Sequence, residues 1–524
     1  MVLYYELYVG GTVAPKIMAD LSFSFASYVM VAVIGNLVGA FGSLSAGLAD
    51  RWGRVNIVVV GLFLTGVLVA VGFPSASSRT MFTVMYALLS VVEGVMLVAT
   101  PALVRDFSPQ LGRASAMGFW TMGPVLGSLV CTEVSSHTLP THPDWRFQFY
   151  VCGVAGLVVA VIAFIGLREL SPKLRNQLMV SLKDRALIEA HAAGIDEKEL
   201  LKGHWRSLLK LDVVGSAFAI SAFLMFYYIA VGFFVVYFAT TFGYSEARAN
   251  ALANWYWIAN AIALVVAGVL SDRLRVRKPF MIIGGVISIA GLGLFGEMAK
   301  RPGTTYYEFA AIAAVGAVGG GLAYCAWMAC FTETVEKHNP AATATGLAIY
   351  GWTVRCVVTV SLIGFMLVVT AATVLVDHGS RVQAIVTGYP EQVATISAVR
   401  PETLSALATN PTDRAAATAA VKQLIGAGLA TNPESAVARL QQLSTSPIPA
   451  DDLAYLAEHG HAVAQAHQKN PGQWQLWWWV CLGSQILFLP FVFVMSGRWS
   501  PRKAREDAER HEQLVQEELA KLPS

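Results

Sequence analysis

The chain has 524 residues, 55% of them apolar and only 14% charged, and its mean hydropathy is +0.56. Soluble domains carry roughly 25% charged residues, so this composition excludes a string of water-soluble domains and requires a lipid solvent. A formal charge of +3, with no basic stretch interleaved with aromatics, excludes a nucleic-acid binder.

A helix crosses the bilayer core with about 20 apolar residues. The first apolar run, 2–18, is short, begins at the initiator methionine and contains Glu6. It lacks a basic leader and is not read as a removable signal peptide. Because only five residues precede Glu6, span one reads as clipped, with the true start expected upstream of Met1. Eleven longer runs follow, near 28–49, 55–73, 80–104, 114–133, 147–167, 213–240, 250–270, 279–298, 306–330, 344–375 and 474–496, which makes twelve spans. The expected organisation is a six-helix bundle over 1–167, a charged linker over 168–212, helices seven to eleven over 213–376, an insertion over 377–473, helix twelve over 474–496 and a tail helix over 497–524.

The insertion carries 8 acidic and 6 basic residues and no cysteine. Asn410-Pro411, Asn432-Pro433 and Asn470-Pro471 read as stop-and-restart signals between three or four short helices. A lid, a docking module and a neutral ornament stay open as its role. Trp474, Trp477, Trp478 and Trp479 at the start of the last span read as an interfacial belt. Placing the N-terminus inside puts 24 of the 37 Lys and Arg residues in inner loops. Both termini are therefore expected in the cytoplasm of a plasma-membrane protein, which we expect to be a monomer.

All six cysteines fall in apolar runs and read as small hydrophobes, while none of the ten histidines does. An intramembrane histidine metal site or imidazole relay is thereby excluded. No Ser-His-Asp, metal-ligand or phosphate-loop pattern appears, so neither an enzyme nor a cofactor is expected, and catalytic and metal residues are none.

The halves repeat. Leu48-Ala49-Asp50-Arg51 returns as Leu270-Ser271-Asp272-Arg273, and Ala114-x-Ala116-x-Gly118-x4-Gly123 as Ala342-x-Ala344-x-Gly346-x4-Gly351. Six plus six with a charged linker is the plan of a pseudo-symmetric transporter whose site lies at the midplane between halves.

The run Ala46-Gly47-Leu48-Ala49-Asp50-Arg51-Trp52-Gly53-Arg54 resembles the signature loop of the major facilitator superfamily. Its second copy, 268–278, has Arg275 where the first has Gly53. The resemblance implies an all-α membrane fold of twelve helices in two bundles, here with a small helical insertion on the outer side. It also implies a cytoplasmic latch in which carboxylates at helix C-termini, unfavourable there, meet helix N-termini of the other half. The latch residues are Asp50, Arg51, Gly53, Arg54, Asp106, Asp272, Arg273, Arg277, Glu333 and Glu336, with Glu333 or Glu336 paired to Arg273 or Arg277. The alternative is a loop that serves only to set orientation.

Ionisable groups deep in a membrane are functional candidates by default. At ~1.5 Å per residue, Glu6 lies about 15 Å from Lys16, Glu93 about 18 Å from Arg105 and Arg355 about 16 Å from Ala344. All three fall near the middle of a core about 30 Å thick, which points to one shared polar site. Glu6 and Glu93 are the proton-coupling candidates, and Arg355 the anchor for a substrate carboxylate; a purely structural Glu–Arg pair is the alternative. Tyr227, Tyr228, Asn254, Trp257, Asn260, Tyr324 and Trp327 are candidate lining residues, with ordinary helix packing as the other reading.

Glu6-Leu7-Tyr8-Val9-Gly10-Gly11-Thr12-Val13-Ala14-Pro15 resembles the first span of aromatic-acid and related metabolite/proton symporters. Ser90 stands where the superfamily's drug/proton antiporters carry arginine, which argues against that class. The expectation is proton-coupled uptake of a small organic anion by alternating access. An exporter of hydrophobic compounds, or a non-transporting solute sensor, is the alternative.

Overall fold

The computed structural model describes residues 1–44, 53–107, 122–168, 208–301, 303–338 and 343–520. Every regular element among them is a helix, and ten of these helices are long and apolar enough to cross a bilayer. On the twelve-span numbering, span one is Val2–Thr12 followed by Ala14–Asp20, span two Phe25–Leu44, and span three Arg54–Val67 with a π-turn at Leu68–Gly72. Span four is Arg79–Phe107, span five Gly123–Thr138 and span six Trp145–Gly166. Span seven is Ser216–Phe223 and Met225–Phe242, span eight Glu246–Leu274, span nine Lys278–Met298, span ten Tyr306–His338 and span eleven Thr343–Val368. Span twelve is the latter part of the helix Ala450–Val494. Spans one and five are shorter than the ten. Much of the second repeat motif, and all of Leu48–Arg51, lies outside the described residues.

Two compact units result: Met1–Thr370 with Asn470–Ser524, and Ala371–Lys469. In the first, apolar side chains face outward as well as inward. On span six, Val158, Ile162, Phe164 and Ile165 are exposed, which is the stable arrangement only where the solvent is hydrocarbon. Inward, Ala, Gly and aromatic side chains fill the bundles, as in the cluster around Trp327, Phe331 and Phe488.

Spans one and seven, which occupy the same place in each half, are both broken, at Val13 and at Leu224. Discontinuous helices are a device of transporter folds, because a break frees backbone polar groups beside the site. Here the break frees the Thr12 carbonyl, which accepts from Asn250 Nδ2 of span eight at 2.9 Å. Gly11 is needed one residue earlier, because a Cβ there would run into the Val231 carbonyl of span seven. Phe25 of span two packs edge-on to Phe233 and Phe365, each 5.7 Å away, so spans two, seven and eleven also meet across the halves.

After the helical turns Thr370–Val374 and Leu375–Gly379, the second unit holds five short helices, Ser380–Gly388, Pro390–Ala398, Pro401–Thr409, Arg414–Gly426 and Pro433–Thr445, beside the beginning of Ala450–Val494. Five is more than the three or four expected, because Tyr389 and Val399 add breaks ahead of Pro390 and Pro401. Its core is built on Val399, Ala420, Leu424, Ala430 and Ala436. Asn410 ends the helix Pro401–Thr409, and Asn432 forms a capping box with Ser435, so two of the three Asn-Pro punctuation points act as read. The third does not. Pro471 lies inside the helix Ala450–Val494, and the buried Asn470 amide donates to the Thr240 carbonyl and to Thr241 Oγ1. Tertiary bonding overrides the local stop signal.

The tryptophan belt is corrected as well. Trp474, Trp477 and Trp478 are buried, packed on Phe365, Tyr237 and Phe295. They are core of the C-terminal bundle, not an interface anchor.

Candidate functional site

Span four brings Glu93, and span eleven brings Arg355, to one point between the halves. Arg355 Nη2 donates to Glu93 Oε2 at 3.0 Å, with side-chain exposures of 13% and 5%. An ion pair out of water survives only with good geometry on both partners, and removing either one strands the other. Tyr86 and Tyr228 lie within electrostatic reach of both charges, and Tyr4 within reach of Glu93. Tyr324 and Tyr350 meet through their hydroxyls at 3.3 Å, and Trp327 packs on Tyr350 with ring centroids 4.9 Å apart. Tyr227 lies edge-on to both Tyr228 and Trp257. The indole N–H groups of Trp257 and Trp327 are buried with no hydrogen-bond partner among the described residues. The arrangement offers one neutralised cation, a second ionisable group and a wall of aromatic hydrogen-bond donors.

Glu6 does not join this cluster, contrary to the expectation of one shared site. Its Oε2 accepts from Thr65 Oγ1 of span three at 2.8 Å, and its Oε1 occupies the space where Gly156 of span six lacks a side chain. The reason is angular. Successive helix residues turn by about 100°, so Glu6 points roughly opposite to Tyr4, which faces Glu93. Glu6 is thus an internal contact of the N-terminal bundle.

Asn254 and Asn260 are also spent elsewhere. Asn254 Nδ2 donates to Glu133 Oε2 of span five at 2.5 Å, and Asn260 Nδ2 to the Ala317 carbonyl of span ten at 3.0 Å. Tyr4, Tyr86 and Tyr350 are the residues that sequence reasoning missed. Tyr86 had a signal, since it sits seven residues before Glu93 and so on the same helix face.

At the loop between spans eight and nine, Arg277 pairs with Asp272 at 2.7 Å and with Glu333 at 3.0 Å. Burial works against the Arg277 charge, but Glu333 and Asp272 outweigh it and hold its pKa above the ordinary arginine value. Arg275 adopts φ 55° at the end of span eight, where the Val276 N–H bonds the Ser271 carbonyl and the Arg275 N–H that of Asp272. This is a Schellman turn. Gly53, its counterpart in the first copy, has φ 89°. Arg54 is buried, whereas Arg273 and Glu336 are exposed. Asp50 and Arg51 lie outside the described residues, and so does the side chain of Asp106.

Comparison with known proteins agrees with this architecture. The chain is 30% identical to the cis,cis-muconate transport protein of Acinetobacter baylyi over 126 residues, 24% of this chain and 30% of that protein. It is 25% identical to the probable nitrate/nitrite transporter NarK2 of Mycobacterium tuberculosis over 350 residues, 65% and 81% of the two chains. The chain thus spans under a third of the first of these relatives. A bacterial homolog of the human lysosomal transporter Spinster, solved inward-facing and occupied, superposes with a TM-score of 0.53 at 17% identity, covering 95% of this chain and 96% of that one. That likeness shows the fold. The family model of the Major Facilitator Superfamily matches residues 1–361, more than half of the chain, and the chain belongs to that superfamily.

Proposed function

We propose that the protein imports a small organic anion together with a proton, with Arg355 as the anchor of the anion and Glu93 as the proton carrier. The observation that carries this reading is the buried Arg355–Glu93 pair spanning the two halves. A buried charge left alone costs several kcal/mol, on the order of 3–5. An anion that displaces Glu93 from Arg355 strands the carboxylate; a proton on Glu93 alone strands the guanidinium. When both arrive, the anion takes Arg355 and Glu93 becomes a neutral acid. Empty and fully loaded sites are both neutral, so both pass through a closed centre, and the half-loaded forms do not. Coupling follows from electrostatics alone.

The tyrosines and the two free indole N–H groups supply donors and flat faces for the remainder of the anion. The names of the two curated relatives, for muconate and for nitrate or nitrite, agree in the sign of the charge. The Lys/Arg bias supports cytoplasmic termini, which makes the Asp272–Arg277–Glu333 cluster part of a cytoplasmic latch. Reconstitution into liposomes with a panel of carboxylic acids tests the proposal. A proton gradient should drive accumulation, and Arg355→Gln should abolish it. Undiminished uptake by Arg355→Gln, or accumulation indifferent to the gradient, overturns it.

A further inference from the structure

We infer that Gly39 of span two is a positioning residue, whose missing side chain lets the Arg355 guanidinium lie against span two and reach Glu93. The inference deepens the anion-site reading and rests on it for its transport consequence; its structural part stands separately.

Span two turns Gly35, Gly39 and Gly42 toward span four. A Cβ on Gly35 would meet the Tyr86 ring at 2.5 Å, and one on Gly42 the Val91 carbonyl oxygen at 2.7 Å. Such stripes are ordinary helix packing in membranes, and Gly35 and Gly42 need no other explanation. Gly39 differs in what it meets. Its Cβ would lie 2.5 Å from Arg355 Nη1 and 3.4 Å from Arg355 Cζ, with the Ser90 carbonyl oxygen at 3.0 Å. The arginine comes from the other half of the molecule, so its guanidinium fills the volume that a side chain at position 39 would claim. From there Nη2 continues to Glu93.

A methyl group at position 39 must therefore move something by about 1 Å to reach ordinary van der Waals contact. Ser90 O is helix backbone and yields little, whereas the guanidinium ends a flexible side chain. The protein folds, and the charge moves instead. The guanidinium is planar and rigid, so Nη2 shifts with Nη1, and displaced that far from a 3.0 Å contact it is outside hydrogen-bond range. At Gly42 the obstacle is backbone, so a methyl there parts the helices.

A thermal-stability cycle on the purified protein tests the structural part. Gly39→Ala and Glu93→Gln should each lower Tm, and the double variant should lie no lower than the worse single, because Gly39→Ala has already parted the pair. Additive losses overturn the inference. Gly42→Ala with Glu93→Gln is the control and should be additive; if it is not, the effect is general loosening and the inference falls. Uptake kinetics test the consequence. Gly39→Ala should lower the Vmax of net uptake per folded transporter about tenfold, because the empty carrier then returns with its charges parted, while counterflow stays within about twofold. That loss should largely vanish in an Arg355→Lys background, where a slimmer ammonium leaves room for the methyl. An equal loss in both backgrounds overturns the inference. If the stability cycle couples while Arg355→Gln transports like wild type, the anion-site reading fails and the positioning by Gly39 stands.

Discussion

Replacing Glu93 by glutamine separates anion binding from proton coupling. On the proposed mechanism the anion displaces a carboxylate 3.0 Å from Arg355 in the wild-type protein, and that carboxylate takes a proton. One proton then accompanies each anion, so linkage makes the apparent affinity change about tenfold per pH unit. The sign is toward tighter binding in acid, because the bound state holds the additional proton. Glutamine keeps the shape, carries no charge and takes up no proton, so the slope of log KM against pH should fall from about one to about zero. Affinity at neutral pH should also rise. Stranding one partner of a buried pair costs about 3–5 kcal/mol. Taking the lower bound, because Arg355 keeps 13% exposure, the gain is about 3 kcal/mol, or roughly a hundredfold.

Net uptake should nevertheless collapse in Glu93→Gln. Release leaves Arg355 unpaired, and the empty carrier cannot return through a closed centre with a bare charge. Exchange, in which the carrier always returns loaded, should survive. The assay is net uptake beside counterflow in liposomes, at a series of pH values across neutrality. A wild-type affinity flat with pH would refute the reasoning. So would a Glu93→Gln variant that still accumulates the anion on a proton gradient.

Other perturbations test other parts of the structure. Arg275→Gly relieves a left-handed residue that costs roughly 1–2 kcal/mol; after glycine's chain entropy, a net gain of about 0.5–1 kcal/mol should appear as a raised Tm. Gly53→Ala, at φ 89° and ψ 138°, should lower Tm instead; a stable Gly53→Ala would refute the need for glycine at that position. Asn250→Ala leaves the Thr12 carbonyl buried without its donor, a loss of about 1–3 kcal/mol. A cysteine placed at Ser135, bonded to Thr12 Oγ1 at 2.8 Å, should then label at least about tenfold faster with a water-soluble thiol reagent. Unchanged labelling would show that the contact does not hold this end of the bundle shut. Asp272→Asn removes a half-exposed partner of Arg277, so stability should change by less than about 1 kcal/mol. Turnover should change severalfold if the cluster is a latch, and unchanged turnover at normal protein levels removes that role.

The bilayer made most of the fold legible. Apolar runs of fixed minimum length have few fates, and two copies of one loop sequence announced two bundles. Charges in a hydrocarbon phase are so costly that Glu93 and Arg355 stood out without any contact being known. What escaped was lateral. Residue spacing along a helix gives an expected depth, and by that spacing Glu6, Glu93 and Arg355 fall at one level. Which side of the helix each faces is a separate coordinate, and at about 100° per residue the two-residue step from Tyr4 to Glu6 reverses it. The tryptophans at 474, 477 and 478 failed for the same reason: their composition resembles an interface belt, but one helix face carries all three into spans seven, nine and eleven. Asn470-Pro471 was overridden by bonds to residues about 230 positions away, which no local pattern records.

The same lateral distinction decides between the two acids as proton carriers. Glu6 and Thr65 both belong to the N-terminal bundle, and so does Gly156 against which the second oxygen lies. If the bundles rock as rigid bodies, nothing around Glu6 changes between one state and the other, and a proton there has no way to sense where the substrate is. Glu93 lies in one bundle and its partner Arg355 in the other. Any rocking that opens the centre alters their separation, and any ligand that takes Arg355 alters the charge that Glu93 experiences. On the proposed mechanism Glu93, and not Glu6, is thus linked both to the anion and to the motion, which is the condition a coupling group must meet.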